Sequence, residues 1–254
     1  MLITVLGSGS SGNATIVSSG KTTILIDAGF SAKTIQKRLQ QIHFPLSQIN
    51  AIIISHEHYD HSKGWKSCAK CFDAPVYMTE GASQLLQSEG KKNSVTIFQT
   101  GRQFQIGDFT ICPFPVPHDS SDPTAFIIEN KKYSIGIATD LGYLPNLVKN
   151  YLNKCNMLIL ESNHDPDMLK NGPYPWPLKQ RIMSRLGHLS NDTVRIFISE
   201  YIDEKCFYLF LAHLSRQNNS PELALSTSLA ALGSNKVTKL LTTHQSNPTE
   251  IIEL

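Results

Sequence analysis

The feature that most restricts this chain is the junction Ile52-Ile53-Ile54-Ser55-His56-Glu57-His58-Tyr59-Asp60-His61, where an apolar strand runs directly into the pattern H-x-H-x-D-H. Alternate side chains of extended backbone share a face, so His56 and His58 point the same way and both imidazoles can reach one ion. A turn after them can aim Asp60 and His61 at a second ion close by. Histidines seldom cluster in cores, and three of them with a carboxylate in six residues are a poor fit to surface decoration. The strand must therefore end where donors from other parts of the chain can meet it.

Three further donors each follow an apolar run: His118 after Pro113-Phe114-Pro115-Val116-Pro117, Asp140 after the stretch 134–139, and His213 after the stretch 207–212. Each alone has a plain reading, a turn-forming aspartate or a satisfied polar histidine. Their shared place at strand ends, beside H-x-H-x-D-H, makes them candidate ligands. The donor set is imidazole and carboxylate without thiolate, which suits Zn²⁺ or Mn²⁺, with Fe as a further option. The five cysteines are scattered and odd in number, which is not a disulfide framework, and Cys68-x-x-Cys71 lacks the second pair of a zinc knuckle. His43 and His244 read as structural, and His164 as either a substrate contact or an outer partner of the site.

Length and composition fit one domain over residues 1–254: 41% hydrophobic residues supply a large core, and no repeat or low-complexity linker marks a boundary. Short apolar strands precede helices in the first 60 or so residues, strands dominate the middle, and helices dominate after Asp140. A helix is expected over 81–88. Serine caps open helices at Ser190-Asn191-Asp192-Thr193 and Ser220-Pro221-Glu222. The stretch Asn171-Gly172-Pro173-Tyr174-Pro175-Trp176-Pro177 reads as a rigid loop. No run approaches the ~18 apolar residues of a membrane span, and the start lacks a basic region and cleavage signature, so no membrane partner and a cytoplasmic location are expected. A net charge of +2 is too mild to announce a nucleic-acid binder.

The ordered series His56-x-His58-x-Asp60-His61, His118, Asp140, His213 resembles the motif set of the metallo-β-lactamase superfamily along the whole chain. The resemblance implies an α/β fold, the αββα sandwich, with two divalent metal ions at one edge. It also implies His56, His58 and His118 on one ion, Asp60, His61 and His213 on the other, and Asp140 bridging both. Asp27 matches the buried aspartate that supports the histidine loop. Metal binding lowers the pKa of water to roughly 7 at a single zinc, and two such ions can also align attacking and leaving oxygens, on lactams, thioesters, lactones or phosphodiesters.

Three outer features point to phosphate. The loop Gly7-Ser8-Gly9-Ser10-Ser11-Gly12-Asn13 offers backbone N–H groups and the side chains of Ser8, Ser10, Ser11 and Asn13 to an anion, with a flexible turn as the plain reading. His188 precedes the cap Ser190-Asn191, where a helix start favours an anion, and is placed to act as an acid on a leaving oxygen; an ordinary helix-entry histidine is the plain reading. Lys63, Lys66 and Lys70 share a face if their segment is one helix, either a solvated stripe or a nucleic-acid contact.

Four strings together, Ser8 to Asn13, Glu161-Ser162-Asn163-His164-Asp165, Gly187 to Asn191 and His213-Leu214-Ser215-Arg216-Gln217-Asn218-Asn219, are similar to the bacterial YycJ/WalJ (VicX) family. That resemblance implies a DNA exonuclease acting 5′ to 3′, with nucleic acid as partner and DNA favoured over RNA. In a dinuclear nuclease of this kind Asp60 is expected to orient or deprotonate the attacking hydroxide and His188 to assist the leaving oxygen, which makes them the candidate catalytic residues. Tyr59 departs from the serine of many relatives, which bears on access to the pocket. Two other readings remain open: a hydrolase of a small thioester, lactone or cyclic phosphate, and a non-catalytic metal-binding protein in a two-component signalling pathway.

Overall fold

The strands of this chain divide their side chains between two cores. In the computed structural model, which describes residues 1–44, 48–87 and 95–254, the strands β1 (Leu2–Gly7), β2 (Ala14–Ser18), β3 (Thr23–Ile26), β4 (Ala51–Ile53), β5 (Val76–Met78) and β6 (Val95–Ile97) build one sheet. The strands β7 (Phe104–Ile106), β8 (Phe109–Pro115), β9 (Thr124–Glu129), β10 (Ser134–Ala138), β11 (Met157–Glu161), β12 (Tyr208–Ala212) and β13 (Lys239–Thr242) build the other, and β14 (Ile252–Glu253) returns to the first. Their orders are β14-β1-β2-β3-β4-β5-β6 and β13-β12-β11-β10-β9-β8-β7.

The period of two in a strand sends Ile24 and Ile26 inward, where they meet Phe109, Phe126, Ile159 and Phe210 of the second sheet. Leu25, between them, faces outward and packs with Ile35 and Leu39 of the helix Ala32–Gln41. The second sheet repeats this arrangement: Leu158 and Leu160 pack outward against Val194, Phe197 and Ile198 of the helix Asn191–Tyr201. Both faces of each sheet are thus covered, which explains why the strands read as continuous apolar runs. The result is the αββα sandwich.

Each sheet has the same pairing pattern. β14 to β3 pair antiparallel and β3 to β6 parallel; β7 to β10 pair antiparallel and β10 to β13 parallel. The pattern switches at β3 and at β10, and the candidate site lies beyond the carboxyl ends of these and the following strands.

Some expectations shift. The helix expected over 81–88 runs Glu80–Leu86, and Ser88 lies outside the described residues. The rigid loop shrinks to residues 172–175, because Asn171 ends one helix and Trp176 with Pro177 opens another, Trp176–Met183. Proline is tolerated there since a first-turn N–H has no helical partner to lose. The single helical face through Lys63, Lys66 and Lys70 does not form: Lys63 ends the short helix Tyr59–Ser62, and Gly64 starts a separate one, Trp65–Phe72. Among the described residues no helix is long and apolar enough to cross a membrane.

Candidate metal centre

The site is assembled from strand ends that leave extended geometry abruptly. Asp27, Asp140 and His213 follow β3, β10 and β12 with φ of +60°, +60° and +54°. Left-handed backbone is uncommon outside glycine and is held only where the surroundings over-determine it. Each of these turns swings a donor back over the sheet edge. A close approach of main chains completes the framework: a Cβ on Gly29 would stand 1.8 Å from the Asp60 carbonyl oxygen. Glycine there lets the backbone N–H of Ala28 reach the His61 carbonyl at 2.8 Å and that of Asn13 reach the Asp60 carbonyl at 2.7 Å. The histidine loop is thereby pinned to the strand carrying Asp27.

Seven side chains converge. His56, His58 and His118 bring one nitrogen each within 4.8 Å of one another; so do the donor atoms of Asp60, His61 and His213, and those of His56, His61 and Asp140. Hydrogen bonds fix which nitrogen faces inward. The His56 Nδ1–H donates to Ser55 Oγ at 3.0 Å, and Ser55 Oγ–H to Asp27 Oδ2 at 3.0 Å. His61 Nδ1–H donates to Asp27 Oδ2 at 2.7 Å, and His118 Nδ1–H to the Gly187 carbonyl at 3.2 Å. In each ring Nε2 is left as a lone-pair donor aimed at the cluster.

The chemistry of this donor set fits divalent cations. Among the described residues His56 Nε2 is buried without a hydrogen-bond partner, Asp140 Oδ2 lies 2.9 Å from His61 Nε2, and His118 Nε2 faces His58 Nδ1 at 3.2 Å. Orphaned acceptors and opposed lone pairs are costly in a buried site unless a proton or a cation lies between them. The three histidines His56, His58 and His118 could hold one ion, and Asp60, His61 and His213 a second, with Asp140 within reach of both.

Electrostatics divide the cluster. Burial lowers the pKa of His56 well below the usual imidazole value, reinforced by His61, and burial likewise lowers His118. For His61 and His213 burial acts in the same direction, but Asp140 and the other carboxylates outweigh it and raise both well above the usual value. Burial would raise the Asp140 carboxyl, yet His213 and His61 hold it well below the carboxylate range. Asp60 also stays low: burial opposes this, and its bond to His213 prevails.

Glu161 is the residue that sequence reasoning left without a role. It ends β11, is fully buried, and its Oε1 accepts from His188 Nδ1 at 2.7 Å and His213 Nδ1 at 3.1 Å. Its Oε2 accepts the backbone N–H groups of Leu141 at 3.1 Å and Leu189 at 3.2 Å. Burial works against its charge, but His188 and these bonds bring it down to about 2. His188 is in turn raised: burial opposes this and Glu161 outweighs it. Its ring stacks on His213 with centroids 5.3 Å apart. The signal that could have found Glu161 is its place at a strand end, the same as that of His213.

The remaining candidates fall in various settings. Asn13 Nδ2 donates to Asp60 Oδ2 at 3.3 Å and lies 2.9 Å from His61 Nε2, while Ser8 Oγ accepts the His213 backbone N–H at 3.0 Å. Ser11 Oγ donates to Gln245 Oε1 at 2.8 Å, and Ser10 is exposed. This loop therefore braces the cluster from one side. Ser190 Oγ caps its helix, and buried Asn191 bonds Ser162 and Asn219. Lys63 Nζ donates to the Ser11 carbonyl. Lys66 and Lys70 border a groove of about 530 Å³ whose other wall includes Asp73, Pro75 and Val76, at the start of β5 and so at the opposite strand end from the cluster. His164 is buried with Nδ1 unpartnered, and burial lowers it to about 4. Cys68 is buried, its thiol pushed up to about 12 by burial, while Cys71 is exposed one turn on.

The sequence profile of the β-lactamase superfamily domain matches residues 22–197. An exodeoxyribonuclease YycJ of Bacillus anthracis is 34% identical over 223 residues, covering 87% of this chain and 84% of that protein. An exodeoxyribonuclease WalJ of Streptococcus pneumoniae is 35% identical over 228 residues, covering 88% and 85%. This chain belongs to the YycJ/WalJ family of the metallo-β-lactamase superfamily. Among solved structures, the metallo-β-lactamase fold protein YhfI of Bacillus subtilis superposes with a TM-score of 0.73 at 17% identity, covering 98% of each chain. That likeness shows the fold. As a YycJ/WalJ member the chain is an enzyme of a hydrolase superfamily whose His and Asp cluster points to divalent metals.

Proposed function

We propose that this chain is a dinuclear metal-dependent phosphodiesterase, a DNA exonuclease working 5′ to 3′, built on one domain spanning residues 1–254. The observation that carries the reading is the meeting of His56, His58, Asp60, His61, His118, Asp140 and His213 in one cluster, buried except at half-buried His58 and Asp60, with the His188–Glu161 pair directly beside it. That relatives 34–35% identical over most of the chain are exodeoxyribonucleases supports DNA as the polymer. Two ions, Zn²⁺ or Mn²⁺ with Fe as a further option, would be held by the two triads with Asp140 shared. When bound, they would supply Lewis-acid stabilisation of phosphoryl oxygens and water activated near neutral pH.

The chain's own groups do the rest. Asp27 and Glu161 orient His61 and His213 through their Nδ1 atoms. Asp60, held by Asn13 and partly open to solvent, orients or deprotonates the attacking water. His188 keeps Nδ1 on Glu161 and is raised toward the protonated state, so its Nε2–H is free to assist the leaving oxygen. The backbone N–H groups of Ser8, Gly9, Ser11, Gly12 and Asn13 are already bonded within the protein, which leaves exposed Ser10 as this loop's contact for a phosphate.

End-labelled DNA and RNA incubated with the protein and Mn²⁺, Zn²⁺ or a chelator test this reading. Metal-dependent release of mononucleotides from the 5′ end of DNA is expected, and His188→Ala should reduce turnover by about 10²–10⁴-fold with metal content unchanged. Inactivity on both polymers combined with hydrolysis of small thioesters or lactones would reverse it.

A further inference from the structure

Arg181 stands in the last turn of the helix Trp176–Met183, and its Nε donates to Asp119 Oδ2 at 2.6 Å. The other oxygen of Asp119 lies 3.5 Å from Nε2 of His118, the nitrogen that faces the cluster. A single carboxylate thus separates a guanidinium from the His56–His58–His118 corner. As a stabilising contact such a half-exposed pair contributes little.

Its position is nonetheless built into the main chain. A Cβ on Gly187 would stand 2.3 Å from the Arg181 carbonyl oxygen and 2.2 Å from that of Ile182. A Cβ on Gly142 would stand 2.4 Å from the Arg185 carbonyl carbon. Only residues without a side chain allow this approach. The backbone N–H of His188 then reaches the Ile182 carbonyl at 3.0 Å, and that of Gly142 the Pro117 carbonyl at 2.9 Å. The end of Arg181's helix is therefore clamped between the loop carrying His118 and the loop that follows Asp140. With Nε tied to Asp119, neither Nη group has a hydrogen-bond partner among the described residues, and a permanently charged, planar fork of this kind suits paired phosphate oxygens. The field of Asp60 also reaches Arg181, as expected for a charge at the mouth of the same site.

We propose that Arg181 binds the phosphate next to the scissile one on a nucleic-acid strand, with Asp119 as the residue that positions it. The assignment rests on the phosphodiesterase reading above. The Asp119 carboxylate stands between the guanidinium and His118 Nε2, so Arg181 lies one carboxylate outward from the cluster, on the side where a neighbouring linkage would pass.

The test uses full-length, metal-loaded protein and end-labelled oligonucleotides, one of them with a neutral methylphosphonate replacing the linkage next to the cleaved bond. In Arg181→Ala, KM should rise by roughly tenfold or more while kcat changes far less, because one charge-assisted contact is lost. Arg181→Lys should recover part of the loss. The methylphosphonate should raise KM in the unaltered protein and add nothing in Arg181→Ala. An equal methylphosphonate effect in both proteins, or loss of metal from Arg181→Ala, overturns the proposal and leaves the nuclease reading standing. An unaltered protein that spares DNA and RNA overturns the nuclease reading and this assignment with it.

Discussion

Asp27 and Asp140 hold the same place in the two sheets: each follows the strand where pairing changes from antiparallel to parallel, and each has φ of +60°. Their chemical work differs. Asp27 spends both oxygens inside its own sheet, on the Ser55 backbone N–H at 2.8 Å, the Ser55 hydroxyl and His61 Nδ1. Asp140 turns both oxygens into the cluster, with Oδ2 2.9 Å from His61 Nε2 and Oδ1 3.6 Å from His213 Nε2. In the second sheet the supporting task passes to Glu161, one strand over. The same φ at a strand end supplies a position, and the neighbours within hydrogen-bond distance decide whether the carboxylate supports a ligand or serves as one.

The strongest way to break this comparison is Asp140→Asn. Losing the shared negative charge should remove metal from both corners and lower hydrolysis by about 10³-fold or more, since several kcal/mol of charge stabilisation depend on the ions. Metal analysis of the purified variant beside its turnover checks this. If Asp27→Asn proved equally severe in both readouts, the two aspartates would not differ as described.

Acidity sharpens the division next. His61 and His213 have raised pKa values in the metal-free protein, so a cation at their corner must displace protons, whereas His56 and His118, lowered, are already neutral near pH 7. Affinity of the His61–His213 corner should rise between pH 6 and pH 8, by at most about tenfold per pH unit for each proton displaced, while the other corner changes little. Titration against a chromogenic chelator at both pH values reads the two steps. The sign for stability is opposite. Raised histidines stabilise the metal-free fold fully below their unfolded value of about 6.5, and that contribution fades as pH climbs through the folded values. The Tm of metal-free protein should therefore decline above neutrality. Glu161, depressed to about 2, stabilises above its unfolded value and loses that effect only as pH falls through about 2.

Single neutralisations of the supporting acids come third. Asp27→Asn and Glu161→Gln should each weaken one ion by about 10–100-fold, at His61 and at His213 respectively, and spare the His56–His58–His118 ion. Equilibrium dialysis resolves the two. Equal weakening of both ions in either variant would show that support is shared across the sheets.

What the sequence made legible follows from how local each signal is. H-x-H-x-D-H lies in six consecutive residues, and His118, Asp140 and His213 each stand where an apolar run stops, so both were readable from one chain. Glu161 also ends an apolar run, but its partners His188 and His213 are 27 and 52 residues away, and an acid at a strand end looks the same whether it forms a turn or holds an imidazole. Ser8, Ser11 and Asn13 look free in a glycine-serine loop until Gln245 and His213 fold back on them. The lysine face through Lys63 failed on one residue, Gly64, whose N–H bonds the Ala28 carbonyl at 2.8 Å, outside the helical ladder, between the two short helices. The edge strands β7 and β14 are three and two residues long, too short to show a period of two.

The smallest predicted effect tests whether the two triads share their support. Ser55 Oγ receives the His56 Nδ1–H at 3.0 Å while donating its own proton to Asp27 at 3.0 Å, so one hydroxyl links the first triad to the acid of the second. Ser55→Ala leaves Asp27 its bonds to His61 and to the Ser55 backbone N–H, but strips His56 of the acceptor that fixes its tautomer. One buried hydrogen bond is worth about 1 kcal/mol, so the His56–His58–His118 ion should weaken about fivefold and the other ion by less. The inequality is the point of the measurement. Were the His61–His213 ion to weaken more, the hydroxyl would be acting chiefly through Asp27, and the first triad would depend on its own geometry alone.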